Sequence, residues 1–213
     1  MSSDVLVNTP AQRQTEPHAE AVSRNRRQQA TFRKVLAAAM ATLREKSYAD
    51  LTVRLVAARA KVAPATAYTY FSSKNHLIAE VYLDLVRQVP CVTDVNVPMP
   101  IRVTSSLRHL ALVVADEPEI GAACTAALLD GGADPAVRAV RDRIGAEIHR
   151  RITSAIGPGA DPGTVFALEM AFFGALVQAG SGTFTYHEIA DRLGYVVGLI
   201  LAGANEPSTG GSE

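Results

Sequence analysis

Cysteine is scarce in this chain: two residues, Cys91 and Cys124, among 213. They stand far apart without a metal-like spacing, which excludes a disulfide framework and suits a reduced cytoplasm. Sustained apolar/polar alternation is missing, so strands are not expected and the chain reads as all-α. The N-terminus is polar and has no apolar signal core. No apolar run reads as a membrane span, because Glu169 and Gln178 interrupt the most apolar stretch. No membrane partner is therefore expected. Catalytic constellations are missing too. His109, His149 and His187 lie on separate segments without spaced carboxylate or cysteine partners, so no metal site is expected. The glycine-rich pieces at 131–134 and 157–161 lack the order of a phosphate loop, and there is no serine elbow. The expectation is no catalytic residue and no cofactor.

Net charge is also zero, but the zero conceals an asymmetry. Residues 1–78 hold 12 Lys/Arg against 5 Asp/Glu, or +7, and residues 79–213 hold 9 against 16, or −7. A basic head on an acidic body is expected where only the head meets a polyanion. The length suits one large or two small domains, and 48% hydrophobic residues are ample for a core.

The most informative stretch is 52–77. Thr52 can cap a helix whose Val53, Val56, Ala57 and Ala60 form one apolar stripe. Lys61 to Ala63 carry a turn, and Pro64 suits the first position of a second, two-turn helix. Helix, turn and short helix in this order is the helix-turn-helix, whose second helix enters the DNA major groove. Ahead of it, about Arg26 to Glu45 reads as a helix with Phe32, Val35, Leu36, Ala39, Met40 and Leu43 on its apolar face.

Thr52, Val53, Arg54, Val56, Ala57, Ala60, Val62, Thr66, Tyr68, Tyr70, Phe71, Ser73, Lys74 and Leu77 together resemble the DNA-binding domain of TetR-type one-component transcriptional repressors. The likeness covers about 45 residues, counting Phe32 to Leu43 as the first helix. It departs from the family's pattern at five places. Lys61 stands where glycine is usual in the turn; a lysine at positive φ costs about 1 kcal/mol, so a reshaped turn is expected. Ala63 replaces the capping serine, Leu55 the acid of a capping box, Ala65 a glycine and Ala67 a larger aliphatic.

In the short helix Ala67 and Phe71 should face inward, leaving Ala65, Thr66, Tyr68 and Thr69 for the groove. No arginine is present there to grip guanine, so direct readout is expected to be modest and apolar. The resemblance places Tyr68, Tyr70 and Lys74 at phosphates, with packing as the alternative for Tyr70. Arg27 and Arg54 complete the candidate DNA contacts. Residues 1–23 read as a disordered arm that, with Arg24, Arg26 and Arg27 at its end, can reach a minor groove.

The domain boundaries drawn are 24–75 for the helix-turn-helix domain, 76–204 for a helical ligand-binding and dimerisation domain, and 205–213 for a disordered tail. Helical patterns run from Lys74 to about Val89, Ile101 to Asp116, Pro118 to Gly131, Pro135 to Ile156, Val165 to Gln178 and Ile189 to Leu201. Leu77, Val81, Leu85 and Val86 should face inward on the first of these, and the arginines of 138–151 should form a solvated face. The resemblance implies an effector pocket, with candidate walls Leu85, Leu107, Leu110, Val114, Leu128, Ile144, Ile148, Met170, Phe173 and Val177. His109, Cys124, Thr125, Glu169 and Gln178 are the polar groups available to it. Surplus apolar surface on the last two helices argues for a homodimer through Phe172, Leu176, Leu193, Val197, Gly198 and Leu201. The reading is a homodimeric DNA-binding regulator, released from an inverted-repeat operator in double-stranded DNA by a small apolar ligand. A protein of the same fold with no effector, and an enzyme, stand as alternatives.

Overall fold

The structure is a computed structural model that describes residues 16–204, with side chains from residue 25 onward. The rest of the expected arm, 1–15, and the tail, 205–213, lie outside the described residues. Among those described there are nine α-helices and no strand. They are α1 (Glu16–Leu43), α2 (Val53–Arg59), α3 (Pro64–Tyr70), α4 (Lys74–Gln88), α5 (Met99–Ala111), α6 (Pro118–Asp130), α7 (Pro135–Ile156), α8 (Pro162–Gly180) and α9 (Tyr186–Ala204). The all-α expectation holds. The first helix begins at Glu16, however, so residues 16–23 are helical rather than part of an unstructured arm.

The helix starts follow from side-chain caps. Thr52 Oγ1 accepts from the Leu55 N–H at 3.1 Å, Ser73 Oγ from the His76 N–H at 3.0 Å and Asp134 Oδ1 from the Ala136 N–H at 2.9 Å. Caps also explain why α8 and α9 begin earlier than the sequence patterns suggest. Asp161 accepts from the Thr164 N–H at 2.7 Å with Pro162 at the first helical position of α8. At α9, Thr185 and Glu188 form a reciprocal capping box, at 2.8 and 3.2 Å.

Lys61 keeps the left-handed turn rather than reshaping it. Its φ is 53°, and it is the one non-glycine residue at positive φ among those described. The Lys61 N–H donates to Ala58 O and the Val62 N–H to Ala57 O, both at 3.0 Å, the paired bonds of a Schellman helix end. Those two bonds, with Val62 packed on the core, hold a conformation that lysine disfavours. Ala63 supplies no side-chain cap to α3, as its chemistry requires.

α1 to α3 form a small domain on a core of Val35, Leu36, Ala39, Leu43, Val53, Val56, Ala57, Ala67 and Phe71. α4 packs on α1 at one end and on α6 and α7 further along; α5, α8 and α9 complete the larger bundle. Arg151 is a correction to the solvated face expected on α7. It is 2% exposed and donates to Arg87 O and Val89 O at 3.3 and 3.0 Å, so it caps the last carbonyls of α4. Glu147 balances its charge.

α8 corrects the expectation that no apolar run reads as a membrane span. By length and composition it is apolar enough to cross one, with a mean hydropathy of 1.4 in its best window. A single glutamate and a glutamine do not offset that many large apolar residues. One such helix is weak grounds for a span, and α8 packs along one side on α6, α7 and α9.

Candidate nucleic-acid interface and effector cavity

On α3 the inward and outward faces separate as expected. Ala67 and Phe71 are fully buried, while Ala65, Thr66, Tyr68 and Thr69 are exposed. Tyr68 is 53% exposed, a large ring left half open to solvent. Thr69 Oγ1 donates back to Ala65 O at 3.1 Å, whereas the Thr66 hydroxyl has no partner among the described residues. Tyr70 is half-buried, with its ring centroid 6.1 Å from Phe32 and 6.2 Å from Phe71, so packing accounts for it.

The cations divide into free and engaged groups. Arg27, Arg33, Lys34, Arg54 and Lys61 are exposed and form no ion pair among the described residues. Lys74 is engaged: its Nζ donates to Tyr48 O at 3.2 Å and lies 4.5 Å from the Tyr48 ring centroid. It therefore braces the 44–52 connection as well as carrying charge. Arg59 pairs with Glu45 at 2.6 Å, and Arg44 pairs with Glu117 of the larger bundle.

A cavity of about 300 Å³ lies between α4, α6, α7, α8 and the start of α9. Six of the expected residues line it: Val114, Cys124, Leu128, Ile144, Phe173 and Val177. Thr125 lines it too, as does Leu176, expected at a dimer contact. Other wall candidates lie elsewhere. Leu107, Leu110 and Ile148 are fully buried in the packed core, because their faces of α5 and α7 turn to other helices. Leu85 is half-buried away from the cavity, and His109 and Met170 are exposed on outer faces. Glu169 pairs with His149 at 2.8 Å, and Gln178 borders a surface groove.

Tyr82, Gly121, Leu129, Arg141 and Tyr186 are lining residues that the sequence patterns did not single out. At Gly121 a Cβ would sit 2.7 Å from the Tyr186 ring, so the close approach of that ring calls for glycine. Burial pushes the Cys124 thiol up to about 12 and raises the hydroxyls of Tyr82 and Tyr186, so all three are neutral at ordinary pH. No cluster of three or more His, Cys, Asp and Glu able to hold a metal occurs among the described residues.

α4 joins the two regions. Its cap residue Ser73 donates to Asp134 Oδ2 at 2.9 Å, which ties the end of the small α1–α3 domain to the start of α7. Two turns on, Glu80 is 6% exposed and pairs with Arg143 of α7 and with His76 Nε2 at 3.6 Å. Burial alone would raise the Glu80 carboxyl, but hydrogen bonds from His76 and Arg143 outweigh it and leave it below its ordinary value. The bond from Ser73 and the Ala136 N–H likewise lower the Asp134 carboxyl. Tyr82 follows on the same helix, in the cavity wall.

The expected dimer residues need correction. Phe172, Leu193, Val197 and Leu201 are buried in the chain's own bundle and present nothing outward. Exposed instead are Phe166, Met170, Phe173 and Val177 of α8, at i, i+4, i+7 and i+11, with Tyr195 and Leu199 of α9. Gly198 is exposed beside them.

Residues 35–81 match the family model of the bacterial regulatory proteins of the tetR family. The whole fold is similar to that of a TetR transcriptional regulator from Rhodococcus sp. RHA1, at a TM-score of 0.70 and 21% identity, over 84% of this chain and 98% of that one. A Thermus thermophilus TetR-family repressor, FadR, solved with lauroyl-CoA, is similar at 0.60 and 18% identity, over 85% and 99%. A Bacillus subtilis regulator also called FadR, solved with stearoyl-CoA, gives 0.55 and 14%, over 81% and 98%. Residues 35–81 are thus a TetR-family DNA-binding domain, carried on the fold that these TetR-type regulators share.

Proposed function

We propose that the chain is a homodimeric transcriptional regulator that binds an inverted-repeat operator and releases it when a small apolar molecule fills the cavity. The observation that carries this reading is α4. It begins at the DNA-binding domain, is tied to α7 through Ser73–Asp134 and Glu80–Arg143, and contributes Tyr82 to the cavity wall. A ligand against Tyr82 acts on the helix that sets the orientation of α3. It shifts DNA affinity only to the extent that it binds the two arrangements differently. Thr66, Tyr68 and Thr69 are the base-reading candidates, and Arg27, Arg54 and the other free cations serve the phosphates. Lys74 carries charge there as well, while Tyr70 belongs to packing. The two neighbours solved with acyl-CoA esters support a role for the cavity in holding an apolar group.

The test is selection of bound duplexes from random DNA, followed by sequencing. Enrichment of an inverted repeat with half-sites about one helical turn apart, ~34 Å, is expected from a two-fold dimer. Recovery of no motif overturns the regulator reading.

A further inference from the structure

Four of the residues that line the cavity are exposed and mark its mouth: Leu129, Arg141, Phe173 and Val177. Three of them are apolar. Arg141 of α7 is the one charged residue in the lining. Its guanidinium reaches across to the last turn of α6, where Nη2 donates to the carbonyl of Leu128, itself a lining residue. The same nitrogen stands 3.3 Å from where a Cβ on Gly132 would be. The charged end of Arg141, and not only its stem, therefore lies beside the mouth.

A guanidinium has five N–H donors, and that bond uses one of them. Arg141 forms no ion pair among the described residues, and neither Asp130 nor Asp142 bonds to it. Behind the mouth the walls hold no counter-charge: no carboxylate, ammonium or imidazole lines them. An ionised group drawn fully inside would lose its hydration without compensation. An anion left at the mouth keeps water on one side and gains charge-assisted hydrogen bonds from Arg141 on the other. A cation there meets repulsion instead.

Resting on the effector reading above, we infer that the effector is an amphipathic anion, an apolar chain or ring system carrying one carboxylate, and that Arg141 recognises the carboxylate at the cavity mouth. Arg141 stands in the chain between Asp134 and Arg143, the two α7 residues that hold α4, so the recognition contact falls on the segment that carries the clasp.

The experiment uses the full chain and two matched probe series: decanoate, 1-decanol and decylammonium, and 2-naphthoate, 2-naphthamide and 2-naphthylmethylammonium. Binding is read by melting-temperature shift and by titration calorimetry, at low and at high salt. In the wild type each carboxylate should bind about fivefold more tightly than its neutral partner at low salt, the value of a charge pair that stays partly in water. The margin should shrink as salt screens it. Arg141→Gln should remove the margin, leave the neutral probes unchanged, and melt as the wild type does without ligand, since the side chain is exposed. Arg141→Glu should shift the preference to the ammonium member of each series. A neutral or ammonium probe that binds best to the wild type overturns the inference while leaving a ligand cavity in place. So does a carboxylate preference that survives Arg141→Gln. The wild-type order and its salt dependence stand even if a variant folds poorly. No binding in either series removes the effector reading itself, and this inference with it.

Discussion

Lys61 holds φ 53° because the α2–α3 turn needs a left-handed residue there, and its Cβ makes that conformation cost about 1 kcal/mol. Lys61→Gly should remove the strain; the extra freedom of glycine in the unfolded chain offsets part of it, leaving a net gain of roughly 0.5 kcal/mol in chemical denaturation. Ala63→Ser supplies the missing oxygen at an extended N-cap (φ −60°, ψ 136°) and should add about 1 kcal/mol. A loss of stability from either change would show that the turn is held by something other than the bonds named. On the reading face, Thr66 and Thr69 should behave differently. Thr69 already bonds to Ala65 O, whereas Thr66 has its hydroxyl free for a base edge. Thr66→Ala should therefore change the selected operator at one position, and Thr69→Ala should change it less. Equal loss on specific and random DNA from both would take them off the reading surface. Much of this detail was legible in the sequence: the cap at Thr52, the inward Ala67 and Phe71, and the missing cap at Ala63 all follow from local chemistry. The engagement of Lys74 with Tyr48 was not, because it joins residues 26 apart in the chain.

Among the elements, α4 is the one to which the proposed coupling falls, and its clasp on α7 is expected to be acid-sensitive. Glu80 and Asp134 both sit below their ordinary values in the folded chain. Stability from a lowered carboxyl is fully present above its unfolded value, about 4, and is lost as pH falls through the folded value. Glu80→Gln should therefore melt below wild type at pH 7 and converge with it as pH drops below about 4. Parallel melting curves over that range would remove Glu80 from the clasp. Most of the helices were readable from periodicity to within about a turn, but α1 begins ten residues before Arg26 and α5 ends five residues before Asp116. Where their starts were set too late, at α8 and α9, the signals were present in Asp161-Pro162 and in the Thr185/Glu188 box, but apolar periodicity begins only after them. Wall assignments depended on which face of each helix meets which neighbour. Period alone gives a stripe and not its partner, so Leu107, Leu110 and Ile148 could be told to be inward but not whether core or cavity lay opposite.

At the scale of the whole molecule, the same ambiguity shifted the expected dimer surface around two helices. Phe172, Val197 and Leu193 satisfy the inward stripes, and the surplus lies on the outer stripe of α8 and on Tyr195 and Leu199. An exposed row of large apolar side chains on two adjacent packed helices suits a helix pair meeting its two-fold copy. Phe172→Arg or Val197→Arg would bury an unpaired charge in the chain's own core, at several kcal/mol, and should unfold it. Met170→Arg or Leu199→Arg places the charge on the outer stripe instead. These two should keep helical content and a cooperative melt, sediment as monomers, and lose operator affinity because one copy presents only one recognition helix. Phe173 and Val177 belong both to this stripe and to the cavity wall, so ligand binding by the monomeric variants should weaken in step. A variant that remains dimeric with Met170→Arg and Leu199→Arg combined would move the interface off α8 and α9. A folded monomer that holds a full inverted repeat as tightly as wild type would dispense with the dimer altogether.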